Sequence, residues 1–367
     1  TGHSNAALGY QAGIDTTTGY ENVYIGHKAG ENVTTANRNI FIGTEAGSGF
    51  TSSSEFNVVI GSGSMSTNTQ TGNHNVVILG GVAAKADLAE TTIVGHLAGG
   101  GVSGSQCTFI GKSAGQSTNS GNDLTAIGHG TLRTVTGSYN TAIGRGAMGD
   151  GAGDAGANLA VGVRALQALA TGDRNVALGN YGLSVLTAGN DNVTVGDEAG
   201  KKITTSNNIL IGSRAGEKLA GGSGGNTHIG AWAGRGDSDL YSGSYNTSVG
   251  AYTMNSNTLA AANYNTVMGY EAGKAITGGD NNTLIGVHAG NDLTTGEKNT
   301  VLGTWAFASG TSSYNTILGY SAGNAMTSGE ENTIIGYNAG DALTTTNYNV
   351  FIGNGAAEFA TTVGSSV

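Results

Sequence analysis

Few side chains in this sequence are placed to do chemistry. The seven histidines are scattered far apart along 367 residues, which argues against a metal cluster. Cys107 is the only cysteine, so no intrachain disulfide can form, and no histidine partner for a thiol nucleophile can be argued. No His-Glu-x-x-His or phosphate-loop pattern occurs. Asp150, Asp154, Asp237 and Asp239 sit in glycine-rich stretches that could be weighed as a calcium site, but the acidic nine-residue calcium repeat is missing and solvated loop carboxylates are the simpler reading. The expectation is a protein that is not an enzyme and has no cofactor. What remains is binding chemistry. Tyr181, Trp232, Tyr252 and Trp305, with Arg214 and His288, fall at one recurring place in the chain. Exposed aromatic rings stack on sugar rings, so these four aromatics are the candidates for contact with host surface glycans. Their alternative use is packing over neighbouring corners or lining a subunit interface.

The recurring place is defined by a repeat that fills residues 1–367 as a single solenoid domain. Asn332-Thr333-Ile334-Ile335-Gly336-Tyr337-Asn338-Ala339-Gly340 is one copy. Taking the glycine that closes the Asn-x-x-aliphatic-Gly core as marker, 21 copies run from Gly9 to Gly353, one being placed at Gly80, about 17 residues apart. The residue before the marker is Ile, Leu, Val or Met in all 21. Alanine stands three after it in 17 copies, and asparagine four before it in 17, the exceptions being Val76, Thr91, Cys107 and Leu124. Seven after it an apolar residue is common, as in Val33, Phe50, Leu169, Ile203, Ile276 and Leu343.

No copy holds an amphipathic run long enough for a helix. Each has a short β-branched segment, then glycine, small residues and a Thr- or Ser-rich turn, which is strand and turn chemistry. The predicted fold is an all-β parallel β-solenoid of about 21 coils. The column before the glycine is expected to point inward, with the column seven later as the opposite wall and alanine between. Stacked asparagines are expected to bond coil to coil through their amides. The column two before the glycine is also mostly apolar, as in Tyr24, Phe41, Val267 and Ile334. Neighbours in a strand face opposite ways, so this column is expected to face out, and an outward apolar stripe implies an oligomer packed along it. Residues 75–128 break the pattern most, and 213–265 hold the longest intervals, so their corner loops are expected to protrude.

Composition excludes other classes. A net charge of −10 disfavours sequence-independent nucleic-acid binding. No apolar run reaches the ~20 residues of a membrane span, so no membrane insertion is expected. Threonine recurs eight after the glycine, as at Thr17, Thr34, Thr204, Thr277, Thr294 and Thr344. A regular threonine face can bind ice, but one column is no lattice, and ordinary cross-strand pairing explains it. No terminal cap is visible, so chains abutting end to end are an alternative assembly.

The repeat Asn-Thr-Ile-Ile-Gly-Tyr-Asn-Ala-Gly resembles those of tail-fibre-like proteins of phages and bacteria, over essentially the whole chain. It resembles more loosely the head repeats of trimeric autotransporter adhesins, whose unit is shorter. The resemblance implies a homotrimeric fibre, extracellular, on a virion tail or cell surface, serving attachment. An extracellular filament subunit polymerising through its end coils is the alternative, and a polysaccharide-cleaving solenoid a more distant one, since the copies show no acidic column.

Overall fold

The computed structural model describes residues 2–51, 53–66, 71–78, 88–117, 120–219, 224–236, 242–256 and 261–362. Its contacts divide into two units, Thr1–Asn175 and Val176–Val367. Both are built from the same coil. Ten three-residue strands, from Ala6–Leu8 to Leu159–Val161, lie in the first. Eleven, from Val176–Leu178 to Val350–Ile352, lie in the second, together with the two-residue pair Asp292–Leu293 and Ser309–Gly310. Within each unit, strands of successive coils pair in parallel and in register, as in Val23↔Ile40↔Val58 and Thr283↔Thr300↔Thr316. No helix occurs among the described residues. The fold is the expected all-β parallel β-solenoid.

The register moves one marker. Ile78 pairs with Ile60 on one side and Val94 on the other. Asn75 rather than Val76 therefore takes the asparagine place. Residues 79–87, where a looser coil is expected, lie outside the described residues. So do parts of the loops in 213–265, at 220–223, 237–241 and 257–260.

The two faces of the strand are the reverse of the sequence reading. The column two before the glycine is the core: Tyr24, Phe41, Val59, Ile93, Phe109, Leu210, Leu284, Val301, Ile317 and Ile334 are all buried. The column that is aliphatic in every copy faces out, with Ile25, Ile78, Ile110, Ile127, Ile143, Val195, Ile211, Met268, Leu302 and Leu318 each 36–46 % exposed. Alternation dictates that these neighbours oppose each other but not which one is inside. Volume decides it. Space inside a coil is shared by three positions, and only the middle strand residue varies in step with the other two.

That coupling is visible coil by coil. In most coils whose middle residue is large, the residue four after the corner glycine is itself glycine. A Cβ there would lie 2.5 Å from the Tyr24 ring at Gly30, 2.5 Å from Phe41 at Gly47 and 2.6 Å from Phe109 at Gly115. In five coils whose middle residue is small, the fourth is large: Ala126 with Leu132, Ala142 with Met148, Ala160 with Leu166, Ala177 with Leu183, Ser248 with Met254, all buried. Phe307 fills the same place where the residue seven after the corner is Gly310. The apolar residues seven after the corner, such as Val33, Phe50, Leu169, Ile203, Ile276 and Leu343, form the opposite wall as expected, and the alanines between are buried. The corner glycines stack on one another at φ 123–151°, and a Cβ on Gly286 would sit 2.4 Å from the Gly303 carbonyl.

The asparagine ladder holds the remaining edge. Asn315 donates both its backbone N–H and its Nδ2 to Asn299 Oδ1, at 3.0 and 3.3 Å, and Asn299 does the same to Asn282 Oδ1 at 3.0 and 3.0 Å. Each Nδ2 also reaches a carbonyl of the following coil, such as Ser312 O from Asn299 at 2.8 Å. The amide is thus satisfied while buried. Between Asn75 and Asn140 the ladder is replaced. The Thr91 N–H donates to Asn75 Oδ1 at 3.0 Å, the Cys107 N–H to Thr91 Oγ1 at 3.4 Å, and Cys107 Sγ to the Ser105 carbonyl at 3.2 Å. Burial pushes the Cys107 thiol pKa up, so the thiol stays protonated as a donor. The strands of this stretch keep their register.

One core position is titratable. His228 is fully buried, with Nδ1 2.7 Å from Ser248 Oγ and Nε2 without a partner. Desolvation lowers its pKa to about 4, so the folded chain holds it neutral. The unfolded chain takes up a proton near pH 6.5, so stability is full above that pH and is lost as pH falls towards 4. The expected loss across this window is about 3 kcal/mol. His228→Leu copies Leu210 and Leu284, which also lie opposite glycines, and should flatten the pH dependence. Urea unfolding of both forms between pH 7 and 4 checks this; an equal slope in the variant removes His228 as its source.

Candidate functional site

The candidate aromatics stand two after the corner glycine, where the backbone is left-handed at φ 57° for Tyr181, 64° for Trp232, 60° for Tyr252 and 59° for Trp305. This conformation costs an L-residue about 1–2 kcal/mol, and it recurs at this place in coil after coil, with Lys28, Glu45, Arg164 and Ser321 among its occupants. It turns the side chain outward from the corner. The aromatics are therefore presented by the same turn that carries glycine in other coils, as at Gly130 and Gly146.

Three of the four are joined by rings that the sequence reading did not single out for this purpose. Trp232 and Tyr252 stack with centroids 5.9 Å apart, Tyr252 meets Tyr270 edge-on at 6.1 Å, Tyr270 meets His288 at 5.6 Å, and His288 stacks on Trp305 at 4.0 Å. Tyr270 lies one after its glycine, and only the stacking of coils shows that it bridges the column. Tyr181 stands apart from this ladder, beneath Lys201 Nζ at 5.4 Å.

The two tryptophans differ in what they offer. Trp232 is covered by cations, with Arg235 Cζ 4.1 Å and Arg214 Cζ 5.1 Å from its centroid. These guanidiniums are held by Glu217 at 2.7 Å and Glu198 at 3.0 Å. This arrangement is a cation–π and ion-pair stack that braces the corners. Trp305 has His288 on one side and is 41 % exposed. Glu271 ties this end together, with Oε2 3.5 Å from His288 Nδ1 and Oε1 3.2 Å from Lys274 Nζ.

Beyond Lys274 the next corner holds a cavity of about 280 Å³ lined by Asn255, Lys274, Thr277, Asn291 and Asp292 among others. A second, more open hollow of about 300 Å³ in the first unit is walled by Tyr139, Asp154, Asp173 and Arg174. Of the acidic residues weighed for calcium, Asp150 is engaged by Arg133 Nη2 at 3.0 Å and by Gln167. Asp237 and Asp239 lie outside the described residues. Among the described residues no group of three or more His, Cys, Asp or Glu is placed to hold a metal ion, and no helix is long and apolar enough to cross a membrane. The threonines eight after the glycine spend their hydroxyls on the next coil: Thr17 and Thr277 donate to the Thr34 and Thr294 carbonyls at 3.1 and 3.2 Å.

No protein family, curated protein or solved structure matches the chain.

Proposed function

We propose that the chain is a structural fibre shaft that does no catalysis and assembles from identical copies, of tail-fibre or cell-surface adhesin type, as a homotrimer outside the cell. The observation that carries this reading is the outward aliphatic column. It runs through every coil of both units, and the column two residues before it, also outward, is Val, Ile, Leu, Ala or Thr throughout, with no charge in either. Fully burying an aliphatic side chain is worth about 1.5–3 kcal/mol, so the exposed 36–46 % of each is worth roughly 1 kcal/mol. Five such residues in each unit supply about 5 kcal/mol, and the partly exposed rest of the column adds to it. Association costs about 4–15 kcal/mol, so a single coil gains nothing from a partner and a long run of coils does. The outward stripe expected from the sequence, two before the glycine, is the buried core, and the stripe that supports this reading is the column expected to be inside.

Light scattering on the intact chain tests the reading. A discrete threefold mass is expected, and Leu302→Lys with Leu318→Lys should reduce it to a single chain while strand content is kept. An open-ended series of masses would favour the filament alternative. A monomeric wild type would end the shaft reading.

A further inference from the structure

We infer that the hollow walled by Tyr139, Asp154, Asp173 and Arg174 is a binding slot for one flat, uncharged aromatic ring with an N–H or O–H donor on its rim, the chemistry of an indole or a phenol. It stands on this corner of the first unit and is independent of how chains assemble. The slot is a missing rung in a column of stacked groups.

The column is the residue just before each ladder asparagine. It is left-handed in coil after coil, at φ 58° for Arg38, 59° for Phe56, 58° for Tyr245 and 57° for Tyr264. Its occupants on adjacent coils stack. Arg38 Cζ lies 5.2 Å from the Phe56 centroid, Phe56 stacks on His74 at 5.0 Å, Tyr245 stacks on Tyr264 at 5.3 Å, and Lys298 Nζ stands 4.8 Å over Tyr314. Between Tyr139 and Arg174 the column holds only the methyl of Ala157, at φ 57°. The coils keep step here: the Ala157 N–H donates to the Ser138 carbonyl at 3.0 Å and the Arg174 N–H to the Gly156 carbonyl at 3.2 Å. Two strand spacings, roughly 10 Å, separate the Tyr139 rung from the Arg174 rung. A ring at the level of Ala157 would lie about 5 Å from each, a distance at which rings stack and at which this column already stacks them. Tyr139 is 67 % exposed, against 43 % for Phe56, which is covered on both faces.

The walls select the guest. Arg174 brings a guanidinium and Tyr139 a phenol ring, so an aromatic guest gains a cation–π contact on one side and a ring contact on the other, as Phe56 does between Arg38 and His74. A saturated sugar ring has no π face to offer the guanidinium. Asp154, Asp173 and Ser138 border the same hollow, and the Gly156 N–H fixes Asp173 by donating to its Oδ1 at 2.8 Å. Carboxylates accept from an N–H or O–H on the rim of the guest, and they repel an anionic ring. A cationic ring would meet the like charge of Arg174. These groups are within reach of a guest from solvent: Tyr139, Asp154, Ala157 and Arg174 are exposed and Asp173 is half-buried.

Saturation-transfer NMR on the full chain with indole and p-cresol tests this, with N-acetyltryptophanamide and glucose run alongside. At least one of indole and p-cresol should give a saturable signal, weakened about fivefold or more in Tyr139→Ala and in Ala157→Phe. Ala157→Phe supplies the missing rung from the chain itself, on the same left-handed backbone that carries Phe56. Its urea midpoint should therefore be unchanged or raised while the guest is excluded. That pairing of lost binding with kept stability separates a slot from adsorption onto other exposed rings. Signal from the free rings alone marks a small ligand, and signal from the blocked tryptophan as well marks a partner's side chain; either upholds the slot. Absence of signal from both indole and p-cresol, or signal unchanged in Tyr139→Ala and Ala157→Phe, overturns the assignment. So does a glucose signal lost in Ala157→Phe in a chain that gives none with the aromatics, which would make the hollow a saccharide site.

Discussion

Phe109→Ala and Gly115→Leu, each damaging alone, should largely cancel when combined. Phe109→Ala empties a fully buried position and is expected to cost about 3–5 kcal/mol. Gly115→Leu places a Cβ 2.6 Å from two atoms of the same ring, and the ring is held between Ile93 and Ala126 of the adjacent coils. Overpacking of this kind costs about 1–3 kcal/mol or more. The pair together recreates Ala126 with Leu132, which the next coil already uses. Its left-handed backbone is no obstacle, since Leu132, Leu166 and Leu183 hold φ of 44–51° at this place. The double variant should lie within about 2 kcal/mol of wild type, the remainder being the cost of a left-handed leucine. Stacked coils open locally, so native-state hydrogen exchange at the amides of 108–115 is the readout. Additive losses would show that the two walls do not share one volume.

Asn299→Ala should be among the most damaging single changes in the second unit. Two groups lose their partners: the Asn315 backbone N–H, which donates to Asn299 Oδ1, and the Ser312 carbonyl, which accepts from Asn299 Nδ2. Asn282 Oδ1 keeps the residue 299 N–H, and Asn315 Nδ2 keeps the Ser313 and Gly329 carbonyls. At about 1–3 kcal/mol for each orphaned group, the expected loss is roughly 2–6 kcal/mol. Asn299→Asp separates the ladder's two halves. It restores the acceptor for Asn315 but sets a carboxylate against Asn282 Oδ1 and the Ser312 carbonyl, both acceptors. At pH 7 it should be at least as damaging as alanine. As pH falls and the carboxyl protonates, it should recover, opposite in sign to the loss caused by His228. Hydrogen exchange of the neighbouring coils at pH 7 and pH 4 reads this; a variant indifferent to pH would mean the side chain does not face those acceptors.

The architecture was legible because a repeat multiplies weak local signals. One Asn-x-x-aliphatic-Gly segment says little, but about twenty copies of that core, most of them complete, require a coil that stacks on itself. The asparagine amides had to bond coil to coil because a buried amide allows little else, and the buried alanines and the wall that includes Leu343 follow from the same spacing. The face of the strand was not legible. An unfailing aliphatic column looks like a core, and the column holding Thr194, His228 and Ser248 looks like a surface. The sequence carried the correcting signal in the pairing of Ala142 with Met148 and of Phe109 with Gly115, two residues of one coil that trade volume. That trade becomes meaningful only once the turn brings them together.

The site shows the same division. Composition and spacing determined that binding by aromatic corners was the chemistry to look for, and they marked Trp232 and Trp305 alike. Tertiary structure decided that Trp232 lies under two guanidiniums while Trp305 stays open, because which residues of adjacent coils meet depends on the length of each intervening loop. A sequence determines which polar atoms exist. Only the packed chain determines which of them water can no longer reach.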